Sequence, residues 1–190
     1  MRILSLAILA LTLLSSIAPP VYTKEDLTGE INPQNHHDFT LVPASYANSA
    51  TYIRKEVSAQ FIAMAKAAQK DGIRLVIVSG TRSHRRQAKI WEAKWNSFGG
   101  ADLEKAKAIL QYSSMPGTSR HHWGTDIDIN TVEASYFETS QGKKVYSWLT
   151  EHAWEYGFFQ PYNKIGTTRN VGYKEEKWHW SYFPCARMVT

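Results

Sequence analysis

Ser119-Arg120-His121-His122-Trp123-Gly124-Thr125-Asp126-Ile127-Asp128 gathers two imidazoles and two carboxylates around a single glycine. From Thr125 to Asn130 polar and apolar residues alternate, which reads as a strand with Asp126 and Asp128 on one face and Ile127 and Ile129 on the other. The isoleucines need a core to cover them. Two aspartates beside two histidines on a half-buried strand are costly to desolvate unless a cation compensates. Gly124 supplies the backbone freedom that lets the preceding loop fold back over the strand it enters.

Around this stretch the pattern mixes helices and strands. Tyr52, Ile53, Val57, Phe61, Met64, Ala65 and Ala68 recur at spacings of three and four, predicting a helix from Asn48 or Ser49 to Gly72. Ile73 to Ser79 is short and rich in branched residues, as a buried strand is, and Gly80 ends it. Amphipathic helices are expected over 84–97 and 101–112, a loop over 113–120, a helix over 143–156 closed by Gly157, and a last strand over 178–182. Strands and helices do not alternate regularly. The expectation is therefore α+β: a single domain with a small antiparallel sheet flanked by helices.

The chain has 190 residues, 43% of them hydrophobic and 13% aromatic, enough for one compact core. Met1-Arg2, the apolar run Ile3 to Leu14 and the small residues Ser16 and Ala18 read as a signal peptide over 1–18. That run is shorter than the ~20 residues that span a bilayer, so cleavage and export to the periplasm or another extracytoplasmic space are expected. No stable membrane insertion is expected once the segment is removed. Residues 19–47, with Pro19, Pro20, Pro33 and Pro43, read as an extended arm packed on the domain formed by 48–190. The net charge of +5 is mild, and its cations are scattered instead of clustered on one face, which argues against nucleic-acid binding and suits loose attraction to an anionic wall polymer. Cys185 is the only cysteine, so no intrachain disulfide forms; beside Pro184 it reads as a small buried hydrophobe.

Near the C-terminus Glu176-Lys177-Trp178-His179 completes the chemistry. A catalytic zinc takes three protein ligands and leaves a fourth position for water. His121, one of the two carboxylates and His179 could supply the three, with Glu176 nearby to accept a proton. His122 reads as a packing residue, because a fourth protein ligand would close the site. Trp123, Trp178 and Trp180 either line a cleft or fill the core. Ser119 has no base of its own, so a serine nucleophile is not expected.

Ser119-x-His121-x-x-Gly124-x-x-x-Asp128, followed by Glu176-x-Trp178-His179 and preceded by Ser79-Gly80-Thr81-Arg82-Ser83 with Gln87, resembles the VanY-type D-alanyl-D-alanine carboxypeptidases. These are zinc metallopeptidases with a hedgehog-like D,D-peptidase fold, and the likeness runs from about Asn48 to Tyr182. The resemblance implies Zn2+ on His121, Asp128 and His179, Glu176 as general base, and Arg82 at the oxyanion or substrate. It places Ser119 and Gln87 in contact with the peptide. It further implies peptidoglycan stem peptides as substrate, with release of terminal D-alanine by a monomeric enzyme. Asp126 stands where the family pattern has alanine, and its role stays open. Strict alternation would put Glu175, not Glu176, on the face of His179, so a turn or bulge is needed between Glu176 and His179. Other chemistries remain: cleavage of L,D or internal wall bonds, a wall-binding zinc module without turnover, or a structural zinc with His122 as fourth ligand.

Overall fold

The computed structural model describes residues 21–189; the segment read as a signal peptide lies outside them. Segment 21–47 begins with a short helix, α1 (Lys24–Thr28), whose start is fixed by a reciprocal cap: Thr23 Oγ1 accepts from the Asp26 N–H, and Asp26 accepts from the Thr23 N–H. Strand β1 (Phe39–Leu41) then pairs antiparallel with β2 (Tyr52–Arg54). The helix expected from Asn48 or Ser49 starts later, as α2 (Lys55–Lys70), because its first predicted turn is this strand. Arg54 explains the difference. It is 1% exposed, and its guanidinium bonds Asp26 at 3.2 Å, Asp38 at 3.1 Å and the Trp123 carbonyl at 2.8 Å. Those partners fix the backbone of position 54 against the turn that carries His121, and local helical periodicity gives way to them.

The chain continues through β3 (Ile77–Ser79), α3 (His84–Ser97), α4 (Asp102–Ile109), β4 (Asp126–Ile129), α5 (Ser140–His152), β5 (Phe158–Phe159) and β6 (His179–Tyr182). Strand β3 is shorter than the 73–79 predicted, and α4 ends at Ile109, before Tyr112. Helix α3 matches its expected bounds, capped by Ser83, whose Oγ accepts from the Arg86 N–H. The last four strands form one antiparallel sheet in the order β3-β4-β6-β5.

Register is what positions the site. Asp126 lies opposite Ser181, Ile127 opposite Trp180, and Asp128 opposite His179. Because side chains alternate along each strand, Ile127, Ile129 and Trp180 share one face and Asp126, Asp128, His179 and Ser181 share the other. The apolar face packs on Val57, Phe61 and Met64 of α2 and on Val145 and Leu149 of α5, all buried in one core. Burying each such side chain contributes roughly 1.5–3 kcal/mol. This anchored face holds the polar one in place. A one-residue slip of β6 would put Trp180 beside the aspartates and His179 in the core.

Candidate metal centre and cleft

His121 sits in a short 3-10 turn (Arg120–Trp123) ended by Gly124 at φ 74°. A Cβ at Gly124 would collide with the Phe39 ring, so glycine is required both for the backbone angle and for the close approach of β1. The turn presents His121 Nε2 to Asp128 Oδ2 at 3.3 Å, while its Nδ1 donates to the Gly80 carbonyl at 2.9 Å. From β6, His179 Nδ1 stands 3.2 Å from Asp128 Oδ1. One ligand atom each from His121, Asp128 and His179 lie within 4.8 Å of one another, and all three side chains are buried.

The donor set fits a zinc ion. The Gly80 carbonyl can only accept, so His121 carries its proton on Nδ1 and offers the Nε2 lone pair. Asp128 Oδ1 is buried and has no hydrogen-bond partner among the described residues, which costs about 1–3 kcal/mol and which a cation would offset. Two nitrogens and one carboxylate are a familiar zinc triad with an open fourth direction. Burial opposes charge on these groups, yet mutual attraction dominates at two of them. Asp128 is held well below the usual carboxylate range by the two histidines, and in the metal-free chain the hydrogen bond to Asp126 and the nearby Asp128 carboxylate push His179 up to about 10 against its desolvation. His121 is lowered, chiefly by burial.

A second cluster, His36, His37 and Asp38, also brings potential ligands together, but partly in solvent. There His36 Nδ1 already accepts from the Asp38 N–H, and Asp38 is paired with Arg54. The buried triad is the better cation site.

Glu176 reaches the triad through a turn. Its carbonyl accepts from the His179 N–H at 3.3 Å, so positions 176 and 179 face the same way, and Glu176 Oε2 lies 3.5 Å from His179 Nδ1. Glu175 points elsewhere, toward the Tyr146 hydroxyl. Burial pushes the Glu176 carboxyl up to about 7, against the pull of His179.

Arg82 borders the triad, one Nη lying 3.6 Å from Asp128 Oδ2. One Nη donates to Gln87 Oε1 at 2.9 Å, the other to Ser79 Oγ at 3.1 Å, and Nε is buried with no partner among the described residues. Gln87 is not where a substrate contact was expected. It is fully buried, its Nε2 donates to the Ser114 carbonyl at 2.6 Å, and it braces Arg82 from behind. Ser119, by contrast, lines the cavity. That cavity, of about 530 Å³, opens onto His121, Asp128 and His179 and is walled by Arg82, Glu176, Trp178, Tyr162, Tyr173 and Lys94. Its size suits a small peptide. Sequence reasoning missed both tyrosines and Lys94, because none belongs to a spaced motif; their convergence is tertiary.

The other tryptophans divide. Trp180 is in the core, Trp178 lines the cavity, and Trp123 lies under the Arg120 guanidinium. His122 is not a ligand: its Nδ1 donates to the Arg82 carbonyl at 2.6 Å and its Nε2 accepts from the Gly117 N–H at 3.1 Å.

The chain is thus a mixed helix and sheet domain with a buried His-Asp-His triad beside a carboxylate in a cleft. The profile of the VanY family, D-alanyl-D-alanine carboxypeptidase, matches residues 50–185, and the chain belongs to that family. Putative carboxypeptidase YodJ of Bacillus subtilis is 34% identical over 139 residues, covering 69% of this chain and 46% of YodJ. The chain thus spans less than half the length of the curated carboxypeptidase relatives it matches. A vancomycin-resistance D,D-pentapeptidase VanY, solved in complex with Zn(II), superposes with a TM-score of 0.60 at 28% identity over 75% of this chain and 83% of its own. The LD-carboxypeptidase LdcB, solved to explain peptidoglycan recognition, gives 0.62 at 28% identity over 81% of this chain and 72% of its own.

Proposed function

We propose that the protein is an exported zinc-dependent carboxypeptidase that removes the terminal D-alanine from peptidoglycan stem peptides. The observation that carries the reading is Glu176, a buried carboxyl whose Oε2 lies 3.5 Å from His179 Nδ1, beside the His121-Asp128-His179 triad and facing the cleft. Family membership and the Zn(II) complex of a relative support zinc as the ion. His121 Nε2, Asp128 and His179 Nδ1 would hold it, and when bound it supplies Lewis-acid polarisation of the scissile carbonyl and a water of lowered pKa.

This chain's own groups do the rest. Glu176 Oε2 accepts the proton of the attacking water as the new C–O bond forms. The same carboxyl then delivers that proton to the amide nitrogen as the C–N bond breaks, so D-alanine leaves with a neutral amine. Arg82, which lines the cavity, stabilises the negative charge that grows on the carbonyl oxygen. Ser119 orients the peptide from the cavity wall, and Trp178 with Tyr162 and Tyr173 exclude bulk water. Export rests on the 1–18 segment; among the described residues no helix is long and apolar enough to cross a membrane.

The likeness to LdcB favours one second reading, an L,D-carboxypeptidase acting on the tetrapeptide. Mass spectrometry of products from defined muropeptides separates the two. Loss of one alanine from the pentapeptide stem alone supports the D,D assignment, loss from the tetrapeptide stem alone replaces it, and no product from either contradicts both.

A further inference from the structure

Asp126 is fully buried beneath the triad, and both of its oxygens are occupied. Oδ1 accepts from His179 Nε2 at 2.9 Å and Arg120 Nε at 2.8 Å; Oδ2 accepts from Thr125 Oγ1 at 2.6 Å and Ser181 Oγ at 3.0 Å. Arg120 closes the ring by donating to Ser181 Oγ at 2.8 Å. Such a carboxylate has no lone pair left for a metal, whereas Asp128, two residues on, has an oxygen with no hydrogen-bond partner. The same strand face therefore carries two aspartates in different situations.

We propose that Asp126 is a positioning residue that fixes the ring orientation and tautomer of His179. By accepting from Nε2 it keeps the proton there and leaves the Nδ1 lone pair pointing at the metal position. Thr125, Ser181 and Arg120 hold the carboxylate so that it cannot swing toward the ion itself. His121 is oriented in the complementary sense: Gly80 holds its Nδ1 proton and Nε2 faces the site. The two histidines thus offer opposite ring nitrogens, each set by an acceptor behind it. The inference rests on the zinc reading of the site.

Zinc affinity measured by competition with a chromophoric chelator tests it, on purified full-length protein. Asp126→Ala should bind zinc on the order of 10–100-fold more weakly than the unaltered chain, while Asp126→Asn, whose amide oxygen still accepts from Nε2, should recover most of that loss. Because the alanine variant leaves Arg120 without its anion and could fail to fold, a second measurement uses the unaltered protein. Long-range 1H-15N correlation of the zinc-loaded, histidine-labelled chain should show His179 protonated on Nε2 and ligated through Nδ1. Ligation through Nε2, or an alanine variant that folds and binds zinc as tightly as the unaltered chain, overturns the proposal while leaving the zinc site standing. An unaltered chain that binds no zinc removes the site reading and this inference together.

Discussion

Glu176 and His179 are brought side by side by a turn, not by strand pairing: the Glu176 carbonyl accepts from the His179 N–H, and Oε2 comes within 3.5 Å of Nδ1. A base and a ligand are thereby fixed by one short stretch of chain. The base should be removable without losing the metal. Glu176→Ala and Glu176→Gln should each lose on the order of 10²–10⁴ in kcat while binding zinc as the unaltered chain does. Parallel assays of D-alanine release and zinc stoichiometry check this.

The same carboxyl sets a pH signature in the metal-free protein. Burial raises Glu176 from 4.5 in the unfolded chain to about 7 in the folded one, so between those values the folded state holds the extra proton. The stability tied to that proton is complete below pH 4.5 and is lost as pH rises through 7. Glu176→Gln removes the penalty, so the variant should be more stable than the unaltered chain above pH 7, by on the order of 1–3 kcal/mol. The difference should vanish at pH 4.5. Urea melts of chelated protein at the two pH values measure it.

Gln87 separates support from contact. Since it braces Arg82 and the Ser114 carbonyl from a fully buried position, Gln87→Leu should lower kcat/KM and also cost about 1–3 kcal/mol of stability by leaving those groups unpaired. Reduced activity at unchanged thermal stability would instead mean that the side chain meets the peptide directly.

Gly124→Ala tests the turn that delivers His121. A Cβ there meets the Phe39 ring at a positive φ, so a loss of about 1–3 kcal/mol is expected, together with weakened zinc binding, read by thermal denaturation with and without zinc.

Much of this was legible in the chain because it is local. The alternation around Ile127 gave the two faces of β4, and the Ser119 to Asp128 spacing together with Glu176 and His179 brought out residues that do converge. The turn required between Glu176 and His179 is present. What stayed hidden depends on distant partners. Tyr52–Arg54 looks like the start of a helix until Phe39–Leu41 pairs with it and Asp26 and Asp38 meet Arg54. Gln87 looks like a substrate contact until Ser114 and Arg82 are seen to occupy its amide. Asp126 could not be told from Asp128 by alternation, since both face the site; the motif spacing favoured Asp128, and the four donors around Asp126 show what occupies the other carboxylate.

Anomalous diffraction at the zinc edge, from crystals grown with zinc, tests the central claim most directly. The account predicts a peak bounded by His121 Nε2, the Asp128 carboxylate and His179 Nδ1, with Glu176 beside it and unligated. A peak at His36, His37 and Asp38 with none at the buried triad, or a zinc ligated by Asp126 or Glu176, would contradict it.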